Sequence, residues 1–235
     1  MSDVMELDGP RHGTKGDGPQ AQARALVVFL HGLGADGNDL ISLAPLLEPL
    51  LPDTAFVSPH APYPCDMAPM GRQWFSLQDR DPEVLLAGVR DVAPSLNAFL
   101  DAELERHGLS DDRLALVGFS QGTMTALHTM LRRPKACAVI VGFSGALLAP
   151  EILGEKIVSR PPVLLVHGDA DPVVPFEALA AARQALDLNG VPVAAYPRPG
   201  LQHGIDQEGL QLCAAALIEH LFPETVPSGG SAEDG

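Results

Sequence analysis

The sequence is poor in the residues that would tie it to a disulfide scaffold, a zinc site, a nucleic acid or a membrane. It has three cysteines, Cys65, Cys137 and Cys213, an odd count with no C-x-x-C pair. That excludes a disulfide framework and a cysteine-type zinc site as organising features. Free thiols suit a reducing compartment, so a cytoplasmic location is expected. Basic residues number 15 against 30 acidic, a formal charge of −15. A nucleic-acid binder needs a basic footprint to displace counterions from phosphates, so DNA and RNA are not expected partners, nor is an anionic membrane surface. Only Lys15, Lys135 and Lys156 are lysines, and no function follows from that. No apolar run reaches the ~18 residues of a membrane span, and the polar stretch from Met1 to Gln22 lacks a signal-peptide core. Stable membrane insertion is not expected.

What is present is a foldable core. Hydrophobic residues make up 46% of the 235 residues and charged residues 19%, which excludes disorder over most of the chain. The 23 glycines and 22 prolines are scattered without a period, and they mark turns. One domain is the simplest division: a polar lead-in over 1–24, with a short edge strand near Met5 to Leu7, a globular domain over 25–222, and a disordered tail over 223–235. Short apolar runs read as buried strands at Ala25–Leu30, Ala55–Val57, Leu114–Val117, Ala138–Val141, Val163–Val166 and Val193–Tyr196. Helical patterns fall between them at Asn38–Leu47, Pro82–His107, Gln121–Arg132, Phe176–Leu188 and Gln207–Leu221. Pro94 should break or kink the second of these. Strand–helix alternation of this kind predicts an α/β fold with a mostly parallel sheet and helices on both faces. Ligand sites in such sheets lie at the C-terminal ends of the strands.

Four strand ends carry chemistry. Leu114–Val117 runs into Gly118-Phe119-Ser120-Gln121-Gly122 and then a helix. Small residues two places either side of a serine let the chain turn sharply and push the hydroxyl out above the sheet. The N–H of Gln121 would then face the oxyanion of a bound substrate. The bland alternative is a glycine-rich turn with Ser120 as helix cap. Ala25–Leu30 runs into His31-Gly32-Leu33-Gly34, where Gly32 and Gly34 allow close approach and Leu33 can offer a second N–H. Asp36, Asn38 and Asp39 lack the twelve-residue calcium pattern and read as turn and cap residues. Val163–Val166 runs into His167-Gly168-Asp169-Ala170-Asp171-Pro172. Either Asp169 or Asp171 could orient an imidazole, and on spacing alone both stay open. His203 stands on a loop between a strand and the last helix, where a base can reach a nucleophile. Ser120, then an aspartate, then His203 is the chain order of α/β-hydrolases. His31 and His167 read as packing or loop hydrogen-bonding residues. Gly142-Phe143-Ser144 also ends a strand but has Ala146 where a second glycine would stand, and reads as a turn beside the pocket. No tight metal-ligand spacing such as H-E-x-x-H occurs, so no metal is expected.

Taken together, H-G-L-G-A-D-G-N-D at 31–39, G-R-Q-W-F-S-L at 71–77, G-F-S-Q-G at 118–122, G-D-A-D-P-V-V-P at 168–175 and G-L-Q-H-G at 200–204 resemble the phospholipase/carboxylesterase family, which includes bacterial carboxylesterases and acyl-protein thioesterases. The resemblance runs in register from about Val27 to Leu221. It implies the α/β-hydrolase fold without a large lid domain. It places the acid on Asp171, before P-V-V-P, the nucleophile on Ser120, the base on His203 and the oxyanion donors on the N–H groups of Leu33 and Gln121. Trp74, Phe75, Leu77, Phe143 and Val174 would be substrate-binding residues, although the single tryptophan, Trp74, is equally readable as a core aromatic.

The expected activity is hydrolysis of carboxylic esters of short to medium acyl chains through an acyl-enzyme, with a small ester or acyl thioester as substrate and no cofactor. An acyl-protein thioesterase or lysophospholipase would use the same residues. A non-catalytic ligand-binding hydrolase fold would usually have lost one of the three. A peptidase usually carries a lid or propeller domain for which 235 residues leave no room. The missing insertion argues for an open, shallow site and against a lipase acting on bulk fat. Monomer and homodimer are both compatible with the sequence.

Overall fold

Strands buried on both faces need apolar side chains at odd and even positions alike, and the central strands have them. The computed structural model describes residues 4–13 and 22–225. In chain order the strands are β1 (Arg11–His12), β2 (Ala25–Leu30), β3 (Thr54–Val57), β4 (Tyr63–Pro64), β5 (Arg72–Gln73), β6 (Leu114–Phe119), β7 (Val139–Phe143), β8 (Val163–Gly168) and β9 (Val193–Arg198). The helices are α1 (Gly37–Leu40), α2 (Ala44–Leu47), α3 (Pro82–His107), α4 (Gln121–Met130), α5 (Leu153–Lys156), α6 (Glu177–Leu188) and α7 (Gln207–Leu221). Seven strands form one sheet in the order β1-β3-β2-β6-β7-β8-β9, and β4 pairs with β5 in a separate hairpin. Every pairing in the large sheet is parallel except β1 with β3.

Alternation divides the core in two. Leu26, Val28, Leu30, Leu114, Leu116, Ile140, Val163 and Leu165 face α3, α4 and α6. Val27, Phe29, Ala115, Val117, Val141, Leu164 and Val166 face α1, α2 and α7. The chain leaves β2 to form β3 on one side and returns to form β6 on the other. The loops after β2 and β6 therefore diverge at a reversal of strand order, where open α/β sheets place their ligands.

Local chemistry sets the helix ends. Asp81 accepts the N–H of Glu83 and Pro82 opens α3, which closes on Gly108 in the left-handed region at φ 63°. Asp206 accepts the N–H of Gly209 at the start of α7. Pro94 does not interrupt α3, which stays helical through it. The cost of the missing N–H is met by packing, since Val92, Leu96, Phe99 and Leu100 are buried on the same helix. The first strand lies at Arg11–His12, not near Met5 to Leu7. Met5 instead donates its N–H to Ser95 Oγ at 2.9 Å, and Leu7 packs into the core. The expected lead-in and tail fall partly outside the described residues, at 1–3, 14–21 and 226–235. Residues Pro223–Thr225, expected to be part of that tail, form a short 3-10 turn, and Glu224 pairs with Arg24 at 2.6 Å. β9 is covered on one face only, with alternating burial as the last strand of the sheet. Among the described residues no helix is long and apolar enough to cross a membrane.

His128 is buried in α4, and its Nδ1 has no hydrogen-bond partner among the described residues. Burial first, and then the charges of Arg132 and Arg90, push its pKa down to about 3. In the unfolded chain it would titrate near 6.5. Between those values the unfolded chain binds the extra proton, so its contribution is full above about pH 6.5 and is lost as pH falls towards 3. The variant His128→Leu should therefore lose less thermal stability than the wild type between pH 6.5 and 4, measured as Tm against pH.

Candidate active site

The turn between β6 and α4 is strained at its centre. Ser120 has φ 52° and ψ −116°, a region that side-chain-bearing residues rarely occupy. Such a conformation costs about 1–3 kcal/mol and persists only where the surroundings enforce it. The enforcement is visible. The Ser120 N–H donates to the Phe143 carbonyl at 2.8 Å, and Thr123 Oγ1 donates to the same oxygen at 2.9 Å. A Cβ on Gly118 would stand 2.6 Å from the nitrogen of Thr123. One on Gly122 would stand 1.8 Å from the Leu30 carbonyl oxygen. The two glycines of G-F-S-Q-G thus let the turn close on itself and on the end of β2.

The loop after β2 is held by its own histidine. His31 is fully buried. Its Nε2 accepts the Ala61 N–H at 3.0 Å, so Nδ1 carries the proton and donates to the Gly32 carbonyl at 2.8 Å. With Nε2 accepting, the imidazole is neutral, and burial keeps its pKa below the ordinary value. Gly32 O also accepts the Ala35 N–H at 3.3 Å. The carbonyl of Gly32 and the N–H of Leu33 belong to one trans peptide and point in opposite directions. Pinning the first turns the second away from His31. Gly32 itself lies against Ser120, with its missing Cβ 3.4 Å from Ser120 Cβ.

Trp74 and Gln121 join this loop to the β6–α4 turn. Trp74 Nε1 donates to the His31 carbonyl at 3.0 Å, and the two rings lie 5.5 Å apart. Gln121 Oε1 accepts the Trp74 N–H at 2.9 Å, and its Nε2 donates to the Phe75 carbonyl at 2.6 Å. Gln121 is fully buried, and both ends of its amide are occupied.

Across the strand ends, Asp171 follows β8. Its Oδ1 accepts the N–H groups of Val173 and Val174 at 2.8 and 3.0 Å. Its Oδ2 meets His203 Nδ1 at 2.7 Å. Burial raises the carboxyl, but the His203 bond and the two N–H bonds outweigh it and leave the pKa below the ordinary carboxylate value. The His203 ring packs 4.8 Å from that of Phe119, the residue before Ser120. Of the two aspartates left open by spacing, Asp169 is engaged elsewhere, with its Oδ1 accepting the Gly200 N–H at 2.6 Å.

The residues expected to line a substrate pocket separate. Trp74 is fully buried and serves as a strut. The Phe143 side chain is also buried, in the core against Gly209 of α7, and the residue reaches the site through its carbonyl. Val174 is buried in the opposite core layer and Leu77 is half-buried against it. Phe75 lines a depression of about 420 Å³ with Tyr63, Ser76 and Gly88. Ser144 takes a left-handed φ of 46° and buries a hydroxyl with no partner among the described residues. No cluster of three or more metal-ligating side chains occurs among the described residues.

A sequence profile of the phospholipase/carboxylesterase family matches residues 17–221. The chain belongs to that family. The enzyme is 28% identical to esterase YpfH of Escherichia coli over 220 residues, which cover 92% of this chain and 93% of that protein. It is 33% identical to acyl-protein thioesterase 1 of Saccharomyces cerevisiae over 175 residues, 69% of this chain and 77% of the relative. The crystal structure of esterase PE8 superposes with a TM-score of 0.86 at 41% identity, covering 92% of this chain and all of that one. Membership makes this enzyme a carboxylic ester hydrolase with the α/β-hydrolase fold. The signal for its struts was partly visible in the sequence. The same His-Gly pair follows β2 and closes β8, and in each case the histidine bonds to the loop that follows it.

Gln121→Leu keeps the volume and removes both bonds that join α4 to the Trp74–Phe75 segment. It leaves a buried N–H and a buried carbonyl unpaired, so a loss of about 2–4 kcal/mol is expected in urea titrations.

Proposed function

We propose that Ser120 is the nucleophile, His203 its general base and Asp171 the group that orients His203, with the N–H groups of Leu33 and Gln121 as oxyanion donors. The observation that carries this reading is the 2.7 Å bond between His203 Nδ1 and Asp171 Oδ2, with the imidazole resting on the residue beside Ser120. The bond commits Nδ1 to the carboxylate and leaves Nε2 free for a hydroxyl. Three further facts support it. Ser120 holds the strained backbone of a nucleophile turn. No acceptor meets the N–H of Leu33 or of Gln121 among the described residues. The first position of a helix also has no intrahelical acceptor for its N–H.

The reaction follows from those positions. His203 Nε2 takes the Ser120 proton as Oγ attacks the carbonyl carbon of an ester. The tetrahedral oxyanion is met by the two N–H groups, each contributing about 3 kcal/mol to lowering the barrier. His203 returns the proton to the leaving alcohol, and the acyl group stays on Ser120. Water, deprotonated by His203, then releases the acid. The substrates are carboxylic esters of short to medium acyl chains, turned over without a cofactor. Similarity to acyl-protein thioesterase 1 favours acyl thioesters as a second substrate class, since the same residues would cleave them.

Hydrolysis of p-nitrophenyl acetate, butyrate and octanoate by wild type and Ser120→Ala tests this. Turnover should fall by about 10⁴-fold or more in the variant, with circular dichroism unchanged. Retained turnover would move the nucleophile elsewhere. The trend from acetate to octanoate reports the reach of the acyl pocket, and a folded wild type that turns over none of the three would refute the substrate assignment.

A further inference from the structure

Asp171 has more donors than orienting one imidazole requires. Its side chain is fully buried. Val173 and Val174 occupy Oδ1. Oδ2 lies 2.7 Å from His203 Nδ1 and 3.3 Å from a second imidazole nitrogen, Nε2 of His167. His167 is 1% exposed, at the end of β8, with its ring edge-on to Phe176 at 6.1 Å. Its Nε2 also lies 3.1 Å from the Val174 carbonyl. Both atoms that Nε2 faces, a carboxylate oxygen and a carbonyl oxygen, can only accept. The proton of His167 therefore sits on Nε2, which donates to the Val174 carbonyl and stands beside Asp171 Oδ2 without bonding it.

We propose that His167 is a positioning residue: its Nε2–H holds the carbonyl of Val174, whose own N–H binds Asp171 Oδ1, and its position 3.3 Å from Oδ2 offsets part of the negative charge offered to His203. The proposal rests on the reading of Ser120, His203 and Asp171 given above. A carboxylate has about four lone-pair sites; here three donors, Val173, Val174 and His203, bond it, and the His167 N–H lies beside the fourth. The carboxylate is thereby held in one rotamer. The positive end of the His167 N–H dipole, 3.3 Å from Oδ2, weakens what that oxygen offers His203. With His167 in place, Asp171 orients His203 while binding its protonated form less strongly than a free carboxylate would. The base then stays unprotonated to lower pH.

Among the described residues, the charged and titratable groups near this cluster are engaged elsewhere. From the loop after β8, Asp169 is engaged by the Gly200 N–H. From β9, Arg198 is engaged by Asp206 and Glu208. From β6 the neighbour of His203 is the ring of Phe119, and from the start of α6 the neighbour of His167 is the ring of Phe176. His31, after β2, is committed to Gly32 and Ala61.

The test is the pH profile of kcat/KM on p-nitrophenyl butyrate for wild type, His167→Phe and His167→Gln. Phenylalanine keeps the ring and removes the donor, whereas the Gln amide reaches about as far as Nε2. In the Phe variant the acid limb should move up, so that activity at pH 6 relative to the plateau falls about threefold to tenfold, the size of a half- to one-unit shift. The Gln variant should return the limb towards wild type. A limb unmoved in a folded Phe variant overturns the proposal, as does an equal shift in the Gln variant. Wild type labelled with ¹⁵N-histidine gives a second readout that needs no variant to fold. The His167 Nε2 signal should move as His203 titrates, and Asp171→Asn should abolish that response; an indifferent signal overturns the proposal. Because this readout needs no turnover, it stands apart from the Ser120→Ala result, which alone decides the nucleophile.

Discussion

The architecture of the site depends on one close approach, that of the β6–α4 turn to the end of β2. The position of a Gly122 Cβ falls 1.8 Å from the Leu30 carbonyl oxygen and 2.8 Å from that of His31. No side chain fits there. The absence of one lets the first turn of α4 press onto the loop after β2, bringing the Gln121 and Leu33 N–H groups to the same end of the sheet as Ser120. The strained dihedrals of Ser120 follow from the same closure. They are maintained by bonds on both sides, from its own N–H to Phe143 and from Thr123 to the same carbonyl. Strain of this kind is stable only when it is over-determined.

Around that contact the polar groups form two separately closed sets. One joins His31, Trp74 and Gln121 and ties three chain segments that lie far apart in sequence. The other gathers Val173, Val174 and His203 on the carboxylate of Asp171, with His167 bonded to the Val174 carbonyl beside it. Each set buries groups that would be costly if unpaired, and each is satisfied almost entirely from within. A side chain in such a set has little freedom to choose another partner. The chemistry assigned to Ser120, His203 and Asp171 therefore needs little reorganisation before substrate arrives.

Much of this was legible in the sequence because it rests on period and spacing. β2 and α7 end where the apolar pattern ends, and every expected strand of the domain is present in the sheet. β6, β7 and β8 run two residues further than their apolar runs. Their last residues, Gly118-Phe119, Gly142-Phe143 and His167-Gly168, read as turn chemistry although they still pair with the next strand. The edge strand was misplaced because Met5 and Leu7 are apolar for a different reason: they pack on α3, whereas Arg11 and His12 pair with β3 without an apolar side chain to mark them. What spacing could not resolve was direction. Trp74 and Phe143 carry residue types that suit a pocket, and only three-dimensional packing shows them turned into the protein. Between Asp169 and Asp171, too, bare sequence had no preference without the family resemblance, because the difference lies in which carboxylate the loop carrying His203 folds over.

The last strand carries a consequence for the life of the protein outside its active site. Val163 donates to the Pro192 carbonyl and Asp169 to that of Arg198. Residues of that parity in β9 are turned to β8, so Val193, Ala195 and position 197 face outward. The residue at 197 is proline, and a proline offers no N–H. Only two donors remain in that outward row, with Pro192 and Pro199 just beyond its ends. A foreign strand arriving there would find too short a ladder to register on. The open flank of a sheet otherwise rich in valine and leucine is thus protected against templating aggregation, and the protection comes from the backbone of the edge itself.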